Sequence, residues 1–135
     1  MSERIARCAC GQLTVACTGD PVLVSICNCT ECQRRTGSAF GVGAYFAREA
    51  VTRIEGAARE FTRVSDAGRW LKLRFCPECG STVYWTMVLW PDRVGVAVGA
   101  FADPAFPAPQ AVVWTESKIS WAPLPAGVPA YERTS

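Results

Sequence analysis

The chain has 135 residues, half of them hydrophobic and 19% charged, so it is long enough to bury a core and too apolar to stay disordered. No apolar run approaches the ~20 residues of a membrane helix, and Met1 to Arg7 carry charges and no apolar stretch of a signal peptide. The reading is therefore one cytoplasmic domain, 1–135, with no membrane partner, and a formal charge of +2 is too small to argue for a nucleic-acid partner.

Taken in chain order, most segments read as strand. Leu13, Val15 and Cys17 alternate with Thr14 and Ala16, and Pro21 to Ile26 is a short β-rich run. A polar stretch from Cys27 to Ser38 predicts loop with a turn of helix. Ala39 to Ala47, Val51 to Ile54 and Arg59 to Val64 predict three further strands, the last two split by Gly56. Ser65-Asp66-Ala67-Gly68 is a hairpin turn signal. Beyond it Leu71, Leu73 and Phe75 face one way and Trp70, Lys72 and Arg74 the other. Val83, Trp85, Met87 and Leu89 then alternate with Tyr84, Thr86 and Val88. Trp90 to Arg93 turns the chain into a strand begun by Val94, Val96 and Val98. Ala102 to Pro109 is a proline-rich connector, Val112 to Thr115 a last short strand, and Pro123, Pro125 and Pro129 extend the tail. Many short strands and no long amphipathic helix predict an all-β fold of stacked antiparallel sheets.

Eight cysteines fall in tight groups, Cys8-x-Cys10, Cys27-x-Cys29-x-x-Cys32 and Cys76-x-x-Cys79, with Cys17 apart. Disulfide partners are usually spread along the chain, whereas clustered thiols suit convergence on a metal ion. In Cys76-Pro77-Glu78-Cys79-Gly80 the turn points two sulfurs at one spot, as in a zinc knuckle. Such a knuckle supplies two ligands of the four that a closed structural site needs, and Cys8 and Cys10 are the natural second pair. The Cys27, Cys29 and Cys32 group offers three thiolates, and the chain has no histidine to complete it. Three protein ligands with an open fourth position are the mark of a reactive zinc site. The alternative is a closed site completed by Cys17 or by a carboxylate such as Glu31. Cys17 is poorly suited, because its alternation sets it beside Leu13 and Val15 on an apolar face. Seven thiolates and two zinc ions would bring the formal charge from +2 to slightly below zero. Without imidazole, proton transfer must use a thiol, a carboxylate, a tyrosine, water or solvent.

The ordered set resembles the glutathione-dependent formaldehyde-activating family, also called the centromere-protein-V domain. The resemblance rests on Cys8-x-Cys10-Gly11 and on Cys27-Asn28-Cys29-x-x-Cys32-Gln33-Arg34-Arg35-Thr36-Gly37-Ser38-Ala39-Phe40. It continues through Phe75-Cys76-Pro77-Glu78-Cys79-Gly80, then Trp114 to Trp121 and the Pro129-Ala130-Tyr131-Glu132 tail. It implies an Mss4-like β-tent with a structural zinc on Cys8, Cys10, Cys76 and Cys79 and a catalytic zinc on Cys27, Cys29 and Cys32. It also implies glutathione as co-substrate, joined to formaldehyde or a related aldehyde as an S-hydroxymethyl adduct, formally a carbon–sulfur lyase reaction. Glutathione carries two carboxylates, so its site should offer cations, and Arg34, Arg35 and Lys118 are the candidates. Trp114 and Trp121 read as core. Position 28, often histidine in the family, is Asn28 here, which can hydrogen-bond but cannot serve as a base. The competing function is a zinc-stabilised Mss4-like protein-binding module without catalysis, since a fold alone does not assign an activity.

Overall fold

Alternation along each strand decides which residues meet. The structure, a computed structural model, describes residues 2–65 and 68–134. Among these the elements run β1 (Glu3–Arg7), β2 (Thr14–Thr18), β3 (Leu23–Cys27), α1 (Thr30–Thr36), β4 (Gly41–Ala47) and β5 (Val51–Glu55). The order continues with β6 (Arg59–Val64), β7 (Trp70–Phe75), β8 (Thr82–Met87), β9 (Arg93–Ala97) and β10 (Ala111–Val113). The fold is thus mostly β-sheet with one α-helix. The strands form a three-stranded sheet, β1-β2-β5, and a seven-stranded sheet, β10-β3-β4-β9-β8-β7-β6.

β4 sits inside the large sheet and shows why that sheet has two apolar faces. Its Val42, Ala44 and Phe46 point one way, with Val24 of β3 and Val94 and Val96 of β9, into a core shared with Leu13, Val15 and Cys17 of the small sheet. Phe101 and Phe106, stacked at 4.7 Å between ring centroids, close that core against Phe46. Gly41, Gly43 and Tyr45 point the other way, toward a second cluster of Leu73, Trp85 and Met87.

Two expectations change. The sheets are not wholly antiparallel: β10 runs parallel to β3, because the 102–110 connector carries the chain back across the sheet before it pairs. The alternation of Val83 with Trp85 and Met87 also breaks. The register steps from Arg74–Tyr84 to Phe75–Thr82, so Val83 is an extra residue; it packs into the first core while Trp85 and Met87 join the second. β1 was not visible in the sequence; only Ile5 and Ala6 of its five residues are apolar. The Ser65–Gly68 turn joins β6 to β7 through the Ser65 N–H to the Arg69 carbonyl at 2.7 Å, while Asp66 and Ala67 lie outside the described residues.

Cys17 is fully buried in the first core, and that burial, partly offset by the Arg4 charge, pushes its thiol up to about 12. A raised value keeps it protonated and unreactive at neutral pH. Under native conditions Cys17 is therefore expected to be the last cysteine alkylated by iodoacetamide, read by peptide mass mapping. Cys17→Ser should cost ~1–3 kcal/mol of stability, because the hydroxyl enters an apolar core.

Candidate metal centres

The first centre forms where two turns meet. After β1 the chain reverses through Cys8 to Gly11, with the Gly11 N–H on the Cys8 carbonyl at 3.0 Å. Between β7 and β8 it reverses through Cys76 to Gly80, with the Gly80 N–H on the Cys76 carbonyl at 2.8 Å. Gly11 and Gly80 leave these turns at φ 84° and 78°, a left-handed backbone that glycine adopts without strain. The result brings the sulfurs of Cys8, Cys10, Cys76 and Cys79 within 4.8 Å of one another. The Cys8–Cys10 and Cys10–Cys76 sulfurs are each 3.6 Å apart. A tetrahedron of zinc–sulfur bonds of ~2.3 Å has edges of ~3.8 Å, so the donor set fits zinc. Donors already face these sulfurs. Gln12 Nε2 lies 3.0 Å from Cys76 Sγ, the Leu13 N–H 3.3 Å from Cys8 Sγ and the Glu78 N–H 3.4 Å from Cys76 Sγ. The Ser81 hydroxyl beside Cys79 is the main reason that thiol falls to about 5, toward the thiolate a metal requires.

The second centre lies at the end of β3. Cys27 is the last residue of that strand, Cys29 caps the start of α1 by accepting the Cys32 N–H at 3.3 Å, and Cys32 is buried within the helix. Their three sulfurs also lie within 4.8 Å of one another. Hydrogen bonding with the Cys27 and then the Cys32 sulfurs draws the Cys29 thiol downward, against burial and helped by the Cys32 N–H and the Arg63 charge. The same bond with Cys29 pushes Cys27 upward. All eight cysteines are free, and neither Cys17 nor Glu31 joins this cluster.

Asn28, between Cys27 and Cys29, is buried and is not part of the lining of the cleft described next. Its backbone N–H and its side-chain amide both donate to the Val113 carbonyl, at 3.0 and 3.1 Å. Its own carbonyl accepts from Gln33 Nε2 and the Ser117 hydroxyl. The motif after β10 thereby braces the triad, and Asn28 is a positioning residue.

Cys27, Cys29 and Cys32 line a cleft of about 580 Å³ on the second face of the seven-stranded sheet; no cysteine of the first centre does. Trp85 lies flat on the sheet here because Gly43 and Gly95 oppose it: a Cβ at Gly43 would come 2.9 Å from the indole, and one at Gly95 would strike the ring Nε1. Gly95→Ala should displace the indole and cost ~1–3 kcal/mol, visible as a lowered melting temperature. Arg35 lies over this indole, 4.9 Å from the ring centroid, and its charge acts on Cys32. Tyr45 also lines the cleft, and desolvation, against a Trp85 hydrogen bond, pushes its phenol up to about 12, so it keeps its proton.

Of the three cations expected from sequence, the cleft takes only Arg35. Arg34 is turned to solvent with a 75% exposed side chain, and pairs with Glu31 at 3.4 Å. The Lys118 ammonium donates to the carbonyls of Ile119, Ser120 and Ala122 at 3.1, 3.3 and 2.7 Å, which ties the loop after residue 117. Three arginines that sequence reasoning missed also line the cleft: Arg63 and Arg69 from the β6–β7 hairpin, and Arg133 from the tail, which pairs with Glu116 at 2.6 Å and lies over the Trp114 ring. Neither tryptophan of the late motif is in the core. Trp114 lines the cleft at a left-handed φ of 59°, and Trp121 is 73% exposed, since no sheet covers the tail.

Residues 3–117 match the family model described as glutathione-dependent formaldehyde-activating enzyme. A search of curated proteins finds no significant match. Among solved structures, the crystal structure of a Rhodobacter sphaeroides protein from a structural-genomics programme is 20% identical. It aligns with a TM-score of 0.58 over 74% of this chain and 91% of that one, a likeness of fold.

Proposed function

The chain belongs to the glutathione-dependent formaldehyde-activating enzyme family, and from that premise we propose that it joins glutathione, or a similar thiol, to an aldehyde. In class it is a zinc-dependent carbon–sulfur lyase built as one Mss4-like β-tent domain. The four-cysteine centre holds a structural zinc and the three-cysteine centre a catalytic one. The observation that carries this reading is the asymmetry of the two centres: the triad opens into a cleft lined with arginines, and the tetrad is closed by its own donors and lies outside that cleft. Sulfur ligands survive only while reduced, which suits the cytoplasm.

A zinc ion on Cys27, Cys29 and Cys32 would supply an open coordination position and a lowered pKa for a thiol that occupies it. The protein's own residues do the rest. Arg35, fixed by its stack on Trp85, presents guanidinium N–H groups to a glutathione carboxylate beside the triad, and Arg63 and Arg69 offer charge for the second. The cleft walls limit water around the reacting carbonyl. As the sulfur–carbon bond forms, the carbonyl π pair moves to oxygen, which takes a proton; Tyr45 holds one within the cleft, and the proton lost by the thiol restores the balance. Arg34 and Lys118 act only indirectly, through the helix surface and the loop after residue 117.

The test is titration calorimetry with glutathione alongside exchange NMR of the formaldehyde–glutathione adduct. Zinc-loaded wild type should bind glutathione and speed the exchange. Arg35→Ala should weaken binding roughly tenfold or more with zinc content unchanged, and the loss should be greatest at low salt. Full zinc loading without binding of any small thiol would favour the Mss4-like binding module instead.

A further inference from the structure

A sheet face left to water is normally polar, because alternation can place apolar side chains on the covered side alone. The large sheet breaks this pattern. One face is covered by the small sheet, yet the other also carries an apolar cluster, with Leu73, Trp85 and Met87 buried and Leu71, Leu89 and Trp90 half-buried against them. These residues wall the cleft, and the cysteine triad, α1 and the tail line the same cleft.

Neither partner of the reaction proposed above accounts for that wall. Glutathione is a polar tripeptide bearing two carboxylates and an ammonium, which the arginines and Glu31 and Glu116 of the cleft can meet. Formaldehyde has two heavy atoms and no apolar body. The cleft of about 580 Å³ must take both partners, and beside glutathione formaldehyde covers almost none of that apolar wall. Apolar area that stays wet is wasted binding energy, while the same area covered by a hydrocarbon tail yields about fourfold in affinity per methylene.

We propose that the electrophile of this enzyme is an aldehyde with an apolar body, a medium-length alkyl chain or an aromatic ring, lying on the Leu71, Leu73 and Met87 wall with its carbonyl toward the cysteine triad. This rests on the thiol–aldehyde reading and names its substrate class. The addition keeps the same balance: the thiol S–H adds across the C=O bond, and no oxidant or reductant enters.

Four of the five tryptophans, Trp70, Trp85, Trp90 and Trp114, line the cleft, so intrinsic fluorescence reports its occupancy. Unreactive primary alcohols from propanol to hexanol, titrated into the zinc-loaded protein, should shift that fluorescence with affinity rising about three- to fourfold per added carbon. Exchange NMR with glutathione should give kcat/KM rising in the same order from propanal to hexanal, with formaldehyde lowest. Leu71→Ser and Leu89→Ser, both at half-buried positions, should each flatten the two series and leave glutathione affinity within about twofold. Turnover of formaldehyde with a flat alcohol series overturns the apolar class and leaves the thiol–aldehyde reading standing. A rising alcohol series without glutathione binding overturns that reading, and the aldehyde assignment with it.

Discussion

Replacing Cys79 by serine is expected to unfold the protein at room temperature, although the side chain is exposed and packs in no core. The reason is the span of the first centre. It joins the turn after β1 to the turn between β7 and β8, and its Cys10 and Cys76 ligands are 66 residues apart in sequence. Structural zinc bound by four thiolates contributes folding free energy of order ~10 kcal/mol, against a total stability of ~5–15 kcal/mol for an ordinary domain. Losing a ligand therefore removes most of the margin. Cys76→Ser should do the same, but Cys76 is also a buried member of the first core, so its loss mixes metal with packing. The exposed Cys79 separates the two. Circular dichroism melts with zinc analysis decide the matter: a melting temperature within a few degrees of wild type in Cys79→Ser would mean that this cluster holds no structural metal.

Serine at Cys29 should have the opposite profile. The triad lies within six residues, Cys27 to Cys32, and closes no long loop, so a metal bound there would add little to the fold. The far-ultraviolet spectrum should match wild type and the melting temperature should fall by only a few degrees. Zinc should drop from two ions per chain to one, and glutathione binding and aldehyde turnover should fall to background. A mild chelator should reproduce this on the wild type by stripping the triad first, because three ligands and an open cleft hold a metal less firmly than four. Retained glutathione binding in Cys29→Ser would place the thiol elsewhere than on this centre.

The two cysteine clusters were readable in sequence because such convergence is local: a turn that aims two sulfurs at one point needs them two or three residues apart, and that spacing survives in the linear chain. The strands were readable where alternation was long, as in β7. β1 escaped because charged residues dominate it, and the parallel pairing of β10 escaped because nothing in three residues states a direction. Adjacent arginines could not be told apart without the helix. A step of ~100° per residue sends Arg34 to solvent and Arg35 over Trp85. The cleft was the least legible part. Trp85 lies flat only because Gly43 and Gly95 come opposite it across strands, and Arg63 and Arg69 reach the cleft from a hairpin distant in sequence. Such cross-strand coincidences have no local spacing to betray them.

Zinc-edge X-ray absorption on the reduced protein, before and after glutathione, separates one closed and one open centre from any other arrangement. Two zinc ions sharing the four sulfurs of Cys8, Cys10, Cys76 and Cys79 and the three of Cys27, Cys29 and Cys32 should show a mean sulfur coordination midway between three and four. Glutathione should raise that mean to four, as its sulfur takes the last position, while Cys29→Ser should show four sulfurs on a single zinc and no change on adding the thiol. A mean of four in the untreated wild type, unmoved by glutathione, would contradict the open centre and the chemistry built on it.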